Sequence, residues 1–268
     1  MTFLQQSLGK NYKWWYILKY ASLSESGNKL GFFAKYLASF LTIVSSLYIW
    51  SLVDYNSELF TYLLVGKIYF ELTSNNYFYR LSNLIVTGKI NKLLYPVNFS
   101  LYQYFEALGI RIIKNLLSIG GTFLGVIFCT LTFAKINIIW NFLAFLILLT
   151  PITFSIYQFL GIILGSLFFW IKNPIDVDSV HESFRVSILV LAGTLIPLSK
   201  LPFGLSNFFE ILPTSYFLHH PMQIYLGKYN NFEILQTFEG GIAWCFVLWI
   251  LARLIFKAGL KKNEAVRL

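Results

Sequence analysis

A chain of 268 residues that is 57% hydrophobic and 12% charged, with a mean hydropathy of +0.64, lies far from a soluble domain, where about a quarter of residues are charged. Six spans of about 20 residues each take nearly half of it and leave short loops, which excludes a separate soluble catalytic domain. The formal charge of +9 invites a nucleic-acid reading, but its distribution follows the rule for cytoplasmic loops of membrane proteins, so no nucleic-acid partner is expected.

On a helical wheel Phe3, Leu4, Leu8, Tyr12, Trp14, Trp15 and Leu18 share one broad arc, with Gln5, Gln6, Lys10 and Lys13 opposite. Such a helix lies in the membrane interface rather than crossing it, touching membrane lipid over residues 1–28. It lacks the uninterrupted apolar core of a signal peptide, so it is expected to be retained and to start in the cytoplasm.

Span one is read from Leu30 to Val53 and span two from Leu59 to Leu72. The turn between them carries Asp54 and Glu58 and no basic residue, which places it outside. Span two contains Lys67 and Glu71, four residues apart and therefore on one helical face, where they neutralise each other. They serve either as a polar lining of a route through the membrane or as a self-satisfied buried pair.

Leu81 to Pro96 forms a short polar and basic island. Its lysines, Lys89 and Lys92, put it on the cytoplasmic side. It reads either as a short amphipathic helix with the contact face Leu84, Ile85, Lys89 and Lys92, or as a solvated loop held inside by its charges. Span three follows within Val97 to Phe133, with Gly121 and Gly125 as a ridge for close helix contact. Span four covers Trp140 to Trp170, with a kink expected at Pro151 and a second ridge at Gly161 and Gly165. It is too long for an upright crossing and must tilt, bend or protrude.

Lys172 to Arg185 reads as an internal loop and Val186 to Leu198 as a short span five. The apolar stretch that follows is punctuated by Pro197, Pro202, Pro213 and Pro221. Phe203 to Leu212 has a helical apolar pattern between two of these prolines, so short helices dipping into the outer leaflet are expected across 197–237. Span six runs from Ile242 to Ala258, ahead of a basic tail.

Lys89, Lys92, Lys172, Arg185, Lys261, Lys262 and most other basic residues then fall inside. Only Lys135, Lys200 and Lys228 fall outside. That asymmetry predicts a multi-pass protein of the cell (plasma) membrane with both termini cytoplasmic. The fold class expected is an all-α polytopic membrane protein, with 1–268 as a single transmembrane domain.

Cys129 and Cys245 sit in apolar runs without metal-type spacing. His181 is internal while His219 and His220 are external, so no metal site is expected. The chain has no G-x-x-x-x-G-K-[ST] phosphate loop, so it binds no nucleotide by that route. An intramembrane lipid-modifying enzyme would need clustered catalytic groups at membrane depth, and Glu71 is the deep carboxylate in view. A stand-alone ion-coupled carrier would show an inverted repeat, and none is evident.

Gly88, Leu93, Leu94 and Pro96 form a G-x-x-x-x-L-L-x-P pattern. Gly193, Ile196, Pro197, Leu201, Pro202, Leu212, Pro213, Tyr216, Pro221 and Gly227 form a longer one, and Gly259 to Ala265 reads GLKKNEA. Together they resemble the six-span permeases of type-2 ATP-binding-cassette (ABC) exporters. The tail differs in carrying Asn263 where that family has Tyr.

The resemblance implies a membrane-spanning permease subunit of an exporter, with an N-terminal interface helix, a cytoplasmic coupling helix within 77–98 and paired external re-entrant helices. It also implies a second permease subunit, the same or related, and separate cytoplasmic ABC ATPase subunits that bind ATP and Mg, with no cofactor in this chain. The coupling residues would be Leu84, Ile85, Gly88, Lys89, Lys92, Leu94 and Pro96. An external gate would be formed by Pro197, Leu201, Pro202, Phe208, Phe209, Pro213, Tyr216 and Pro221.

Overall fold

A computed structural model describes residues 29–53, 57–74, 77–88, 143–171, 177–194 and 205–267, with isolated positions between 16 and 19, 105 and 128, and 197 and 201. Among them every regular element is helical. The proposed interface helix lies almost wholly outside the described residues, as do most of span three and the site positions Lys89, Lys92, Leu94, Pro96 and Pro202.

Helix α1 is Lys29–Val53, α2 Ser57–Thr73, α3 Tyr77–Val86, α4 Leu143–Ser166 and α5 Val177–Leu191. A proline-rich cap follows, made of α6 (Leu205–Ile211), a 3₁₀ helix (Pro213–Phe217) and α7 (His219–Tyr225), before the long α8 (Asn231–Arg267). By length and composition Ala144–Trp170 and Asn231–Lys262 suffice to cross a membrane, and Tyr36–Ile49 is a shorter apolar helix.

These helices tolerate many Ser and Thr residues because many of the hydroxyls find a carbonyl on the preceding turn. Thr61 donates to Ser57 O at 2.8 Å, Thr73 to Tyr69 O at 3.0 Å and Ser166 to Ile162 O at 2.6 Å. Pro151 sits inside α4 without ending it. At its end the helix continues as a 3₁₀ turn over Leu167–Trp170.

The packing centres on α4, which meets α3 on one side and α8 on another. The glycine ridge of α4 makes this possible: a Cβ at Gly161 would stand 3.2 Å from Phe78 N, and one at Gly165 would stand 3.0 Å from Leu81 Cβ. The main core joins Ile43 and Leu47 of α1, Phe60 and Tyr69 of α2, Ile156 of α4, Phe217 and Met222 of the cap, and Leu248 of α8. Outward faces are apolar in turn, with Leu52, Phe246 and Leu254 exposed.

One boundary differs from the sequence reading. Lys172–Arg185 is not loop throughout, because α5 already begins at Val177 and stops at Leu191. Polar side chains at Asp178, Ser179 and Glu182 suggested a loop, yet they occupy a helix that no other described element fully covers. Its end is set by Gly193 at φ 78°, a conformation that glycine adopts without a Cβ penalty.

In the island, α3 ends at Val86 and Gly88 has φ 67°. Thr87 N closes on Asn83 O at 2.9 Å and Gly88 N on Ile85 O at 3.2 Å, so the helix finishes between Ile85 and Lys89. Leu84 and Ile85 therefore lie on α3.

At the other end of the molecule α8 opens with a capping box. Asn230 N donates to Glu233 Oε2 at 2.7 Å, and Glu233 N donates to Asn230 Oδ1 at 2.9 Å. From there it runs 37 residues, about 55 Å at 1.5 Å per residue, well beyond a hydrocarbon core of roughly 30 Å. The sequence KKNEAVR is thus the last part of the same helix rather than a separate tail.

Candidate functional site: the buried polar ties and the proline-rich cap

Within α2 the lysine–glutamate pair forms as its spacing requires. Lys67 Nζ lies 3.1 Å from Glu71 Oε1, with side chains 30% and 11% exposed. Ser39 Oγ of α1 donates to the same carboxylate oxygen at 3.2 Å. A carboxylate removed from water is stable here because a cation and a hydroxyl both reach it. The pair therefore joins α1 to α2 rather than standing alone on one helix.

Two tyrosines of α2 make longer ties that the sequence analysis did not single out. Tyr62 Oη donates to Gly193 O at 2.9 Å, reaching the turn after α5. Tyr69 Oη and Thr153 Oγ1 of α4 are 2.7 Å apart, and Thr153 Oγ1 donates to Tyr216 O at 3.1 Å in the cap. Tyr69 and Thr153 are fully buried, where a hydroxyl without a partner is costly. The signal available in the sequence was the presence of Tyr and Thr inside apolar runs, but the partners are far away in the chain.

The cap is folded by its prolines. Pro213 opens the 3₁₀ helix, and Pro221 lies in the first turn of α7, where a missing N–H leaves nothing unsatisfied. Trp244 Nε1 donates to Ile211 O at 3.2 Å, fastening α6 to α8. Lys228 pairs with Glu58 at the start of α2.

The proposed gate residues divide between two environments. Pro197, Tyr216 and Pro221 are buried in the packing, Leu201, Phe209 and Pro213 are half-buried, and Phe208 is exposed. Phe208 and Phe209 stack edge to face at 5.5 Å, and Phe208 and Ile211, 61% and 70% exposed, make α6 an apolar outer edge. Of the proposed coupling residues, Leu84 and Ile85 are half-buried and Gly88 is exposed.

The two cap histidines share Glu210, one at its carboxylate and the other at its backbone carbonyl. His219 Nε2 is 3.3 Å from Glu210 Oε1. His220 Nδ1 is 2.9 Å from Tyr229 Oη, and its Nε2 is 3.1 Å from Glu210 O. Burial pushes His219 down to about 3, with His220 and Lys228 adding to the effect, and it pushes His220 down to about 4. Glu210 is raised, also by burial. The histidines are therefore neutral hydrogen-bonding groups at neutral pH. Among the described residues no three His, Cys, Asp or Glu side chains converge as a metal cage would require.

An all-helical chain with apolar outer faces, buried polar ties between helices and a proline-folded cap defines a polytopic helical membrane protein. Residues 30–266 match the family model of the ABC-2 family transporter protein, and the chain belongs to that family. It is thus an integral membrane protein and a permease of an ABC transporter, a transport subunit rather than an enzyme, and its family associates with ABC ATPase partners. No curated protein matched the chain in a sequence search.

Proposed function

We propose that this chain is the membrane subunit of an ABC exporter, working as a dimer with the same or a related permease and driven by two cytoplasmic ATPase subunits that hold ATP and Mg. It crosses the plasma membrane six times with both termini inside, and the 1–28 segment lies at the inner interface. The 77–98 segment docks on the ATPase, and the 197–237 cap closes the route outside.

The observation that carries this reading is the continuity of α2 with both ends of the molecule. Below Thr73 the chain passes within a few residues into α3 at Tyr77. Above, α2 is tied by Tyr62 to Gly193 and through Tyr69 and Thr153 to Tyr216. A push on α3 thereby reaches the cap through a rigid helix and two buried hydrogen-bonded ties, in a rocking motion of the kind that drives other transporters. The uncovered face of α5, with Ser179, Glu182, Ser183, Val186 and Ser187, supports a role in lining the route or meeting the second permease.

The test is purification of the tagged protein from its native membrane in mild detergent, with co-purifying chains identified and their ATPase activity assayed. An ATPase subunit in equal stoichiometry is expected in the wild type. Gly88→Val forces a β-branched residue into a left-handed conformation and should weaken that association. The reading fails if no nucleotide-binding chain accompanies the protein under conditions that preserve other complexes.

A further inference from the structure

Arg80 of α3 pairs with Glu106, its Nη2 lying 3.3 Å from Glu106 Oε1, with side chains 38% and 20% exposed. The partners are 26 residues apart, and in sequence they bracket Gly88, Leu93, Leu94 and Pro96. The pair therefore joins the chain before the G-x-x-x-x-L-L-x-P pattern to the chain after it.

The rest of α3 is held by shape. Tyr77 and Leu81, four residues apart and so on one face, pack with Ile162 of α4 and Ala252 of α8, against the glycines Gly161 and Gly165. Phe78 meets Phe168 at 5.9 Å and Phe184 of α5 at 5.3 Å between ring centres. Packing of this extent fixes α3 on α4, α5 and α8, whereas a part-exposed ion pair adds little to stability. What the pair adds is a link from α3 to the chain beyond the motif. A force applied between Gly88 and Pro96 would spread the two flanks apart if they were free, and with the pair closed it moves them together.

We propose that Arg80 and Glu106 are a positioning pair for ATPase coupling, which makes α3 and the stretch from Gly88 to Pro96 move as one body. The α3 helix then passes the motion to α4 through the Gly161 and Gly165 contacts. The proposal rests on the exporter reading, in which 77–98 docks on the ATPase. Both residues act through α3, and neither is assigned a contact with ATP or cargo.

The experiment uses the full-length protein co-purified with its ATPase partner and placed in nanodiscs. Cys129 and Cys245 are replaced by Ala, and Ile211→Cys on the exposed edge of α6 reports on the cap through its rate of labelling by a maleimide. With the pair intact, the rates in ADP and in ATP with vanadate should differ by about fivefold or more, the lower end for coupling between sites. Arg80→Glu and Glu106→Arg each set like charges face to face. Each should still bring down the ATPase and unfold at the same temperature, yet label at one rate in both nucleotides. The double reversal, Arg80→Glu with Glu106→Arg, should restore the difference. Arg80→Gln, which removes the charge without repulsion, replaces the first variant if that one fails to fold, and it too should label at one rate.

Single variants that respond to nucleotide as the parent does would overturn the proposal and leave the exporter reading standing. So would a folded double reversal that stays unresponsive, since the charges would then matter for a reason other than their pairing. A parent protein that brings down no ATPase would instead overturn the exporter reading, and the positioning role with it.

Discussion

Lys67 and Glu71 illustrate what a buried charge demands at the scale of one residue. Lys67→Met removes the ammonium 3.1 Å from the Glu71 carboxylate at the α1–α2 contact, and a buried carboxylate deprived of a cation is strongly unfavourable at low dielectric. The expected loss is roughly 3 kcal/mol, the lower end for breaking a buried pair because Lys67 keeps some exposure. Adding Glu71→Gln should restore most of it, read as thermal unfolding in detergent. A single variant as stable as the wild type would remove the pair from the account of α1–α2 packing. Their presence on one face was legible in the spacing, whereas the link to Ser39 was not, since 32 residues separate the partners.

The cap histidines carry the pH dependence. His219, 2% exposed, and His220 hold pKa values near 3 and 4 in the folded cap, against about 6.5 once exposed. Their neutral forms stabilise the cap fully above about pH 6.5, and that contribution is lost as the pH falls toward 4 and then 3. Glu210, raised by burial, partly offsets this because its protonated form is favoured in the fold.

Tyr216, Tyr229 and Lys228 surround the pair. Between pH 8 and pH 5 the cap should lose roughly 2 kcal/mol of local stability after allowance for water entering as it opens. Hydrogen exchange across Pro213–Tyr225, corrected for the intrinsic pH effect, should speed up about tenfold or more. Unchanged protection would mean that the histidines stay packed through local opening.

At the scale of elements, glycine decides how closely helices meet. Gly161→Leu places a side chain against the backbone of α3 at Phe78, where no flexible neighbour can give way. The α3–α4 contact should separate at a cost of about 2 kcal/mol, typical of overpacking. Thermal unfolding would show it, together with loss of the cooperative unfolding shared by α3 and α4. Gly161→Ala gives a smaller effect by the same argument, and equality with the wild type for both would show that the ridge is not a contact.

The ridge itself was readable, as glycines four apart in an apolar run. Its partner was not, because nothing in the sequence of α4 points to Tyr77 and Leu81. Element ends were the hardest to read. Polarity suggested a loop before Val186, while α5 begins at Val177. Helical hydrogen bonding is indifferent to side-chain polarity where a face is left uncovered, and polarity alone therefore misplaced the boundary.

For the molecule as a whole, the proposed dimer predicts that the uncovered face of α5 meets another copy or its relative. Ser183→Cys, with Cys129 and Cys245 replaced by Ala, should form a disulfide between permease subunits in native membranes, seen as a doubled mass on non-reducing gels. Leu235→Cys, on the exposed apolar side of α8, should not. Cross-linking at Leu235 and none at Ser183 would place the interface on α8 instead.

The sequence by itself determined the helical membrane character, the intrahelical Lys67–Glu71 pair, the short helices between prolines and the family. All of these depend on local composition, on spacing along one helix or on the order of motifs. The tertiary structure alone decided that α2 is tied through Tyr62 to the turn after α5 and through Tyr69 and Thr153 to the cap, that Tyr216 and Pro221 lie inside while Phe208 lies outside, and that α3 ends ahead of Gly88 at φ 67°. The two tyrosine ties join groups up to 131 residues apart. A buried hydroxyl requires a partner, but which carbonyl it finds is fixed by how the helices pack. The break at Gly88 is a matter of backbone conformation, which glycine permits without dictating.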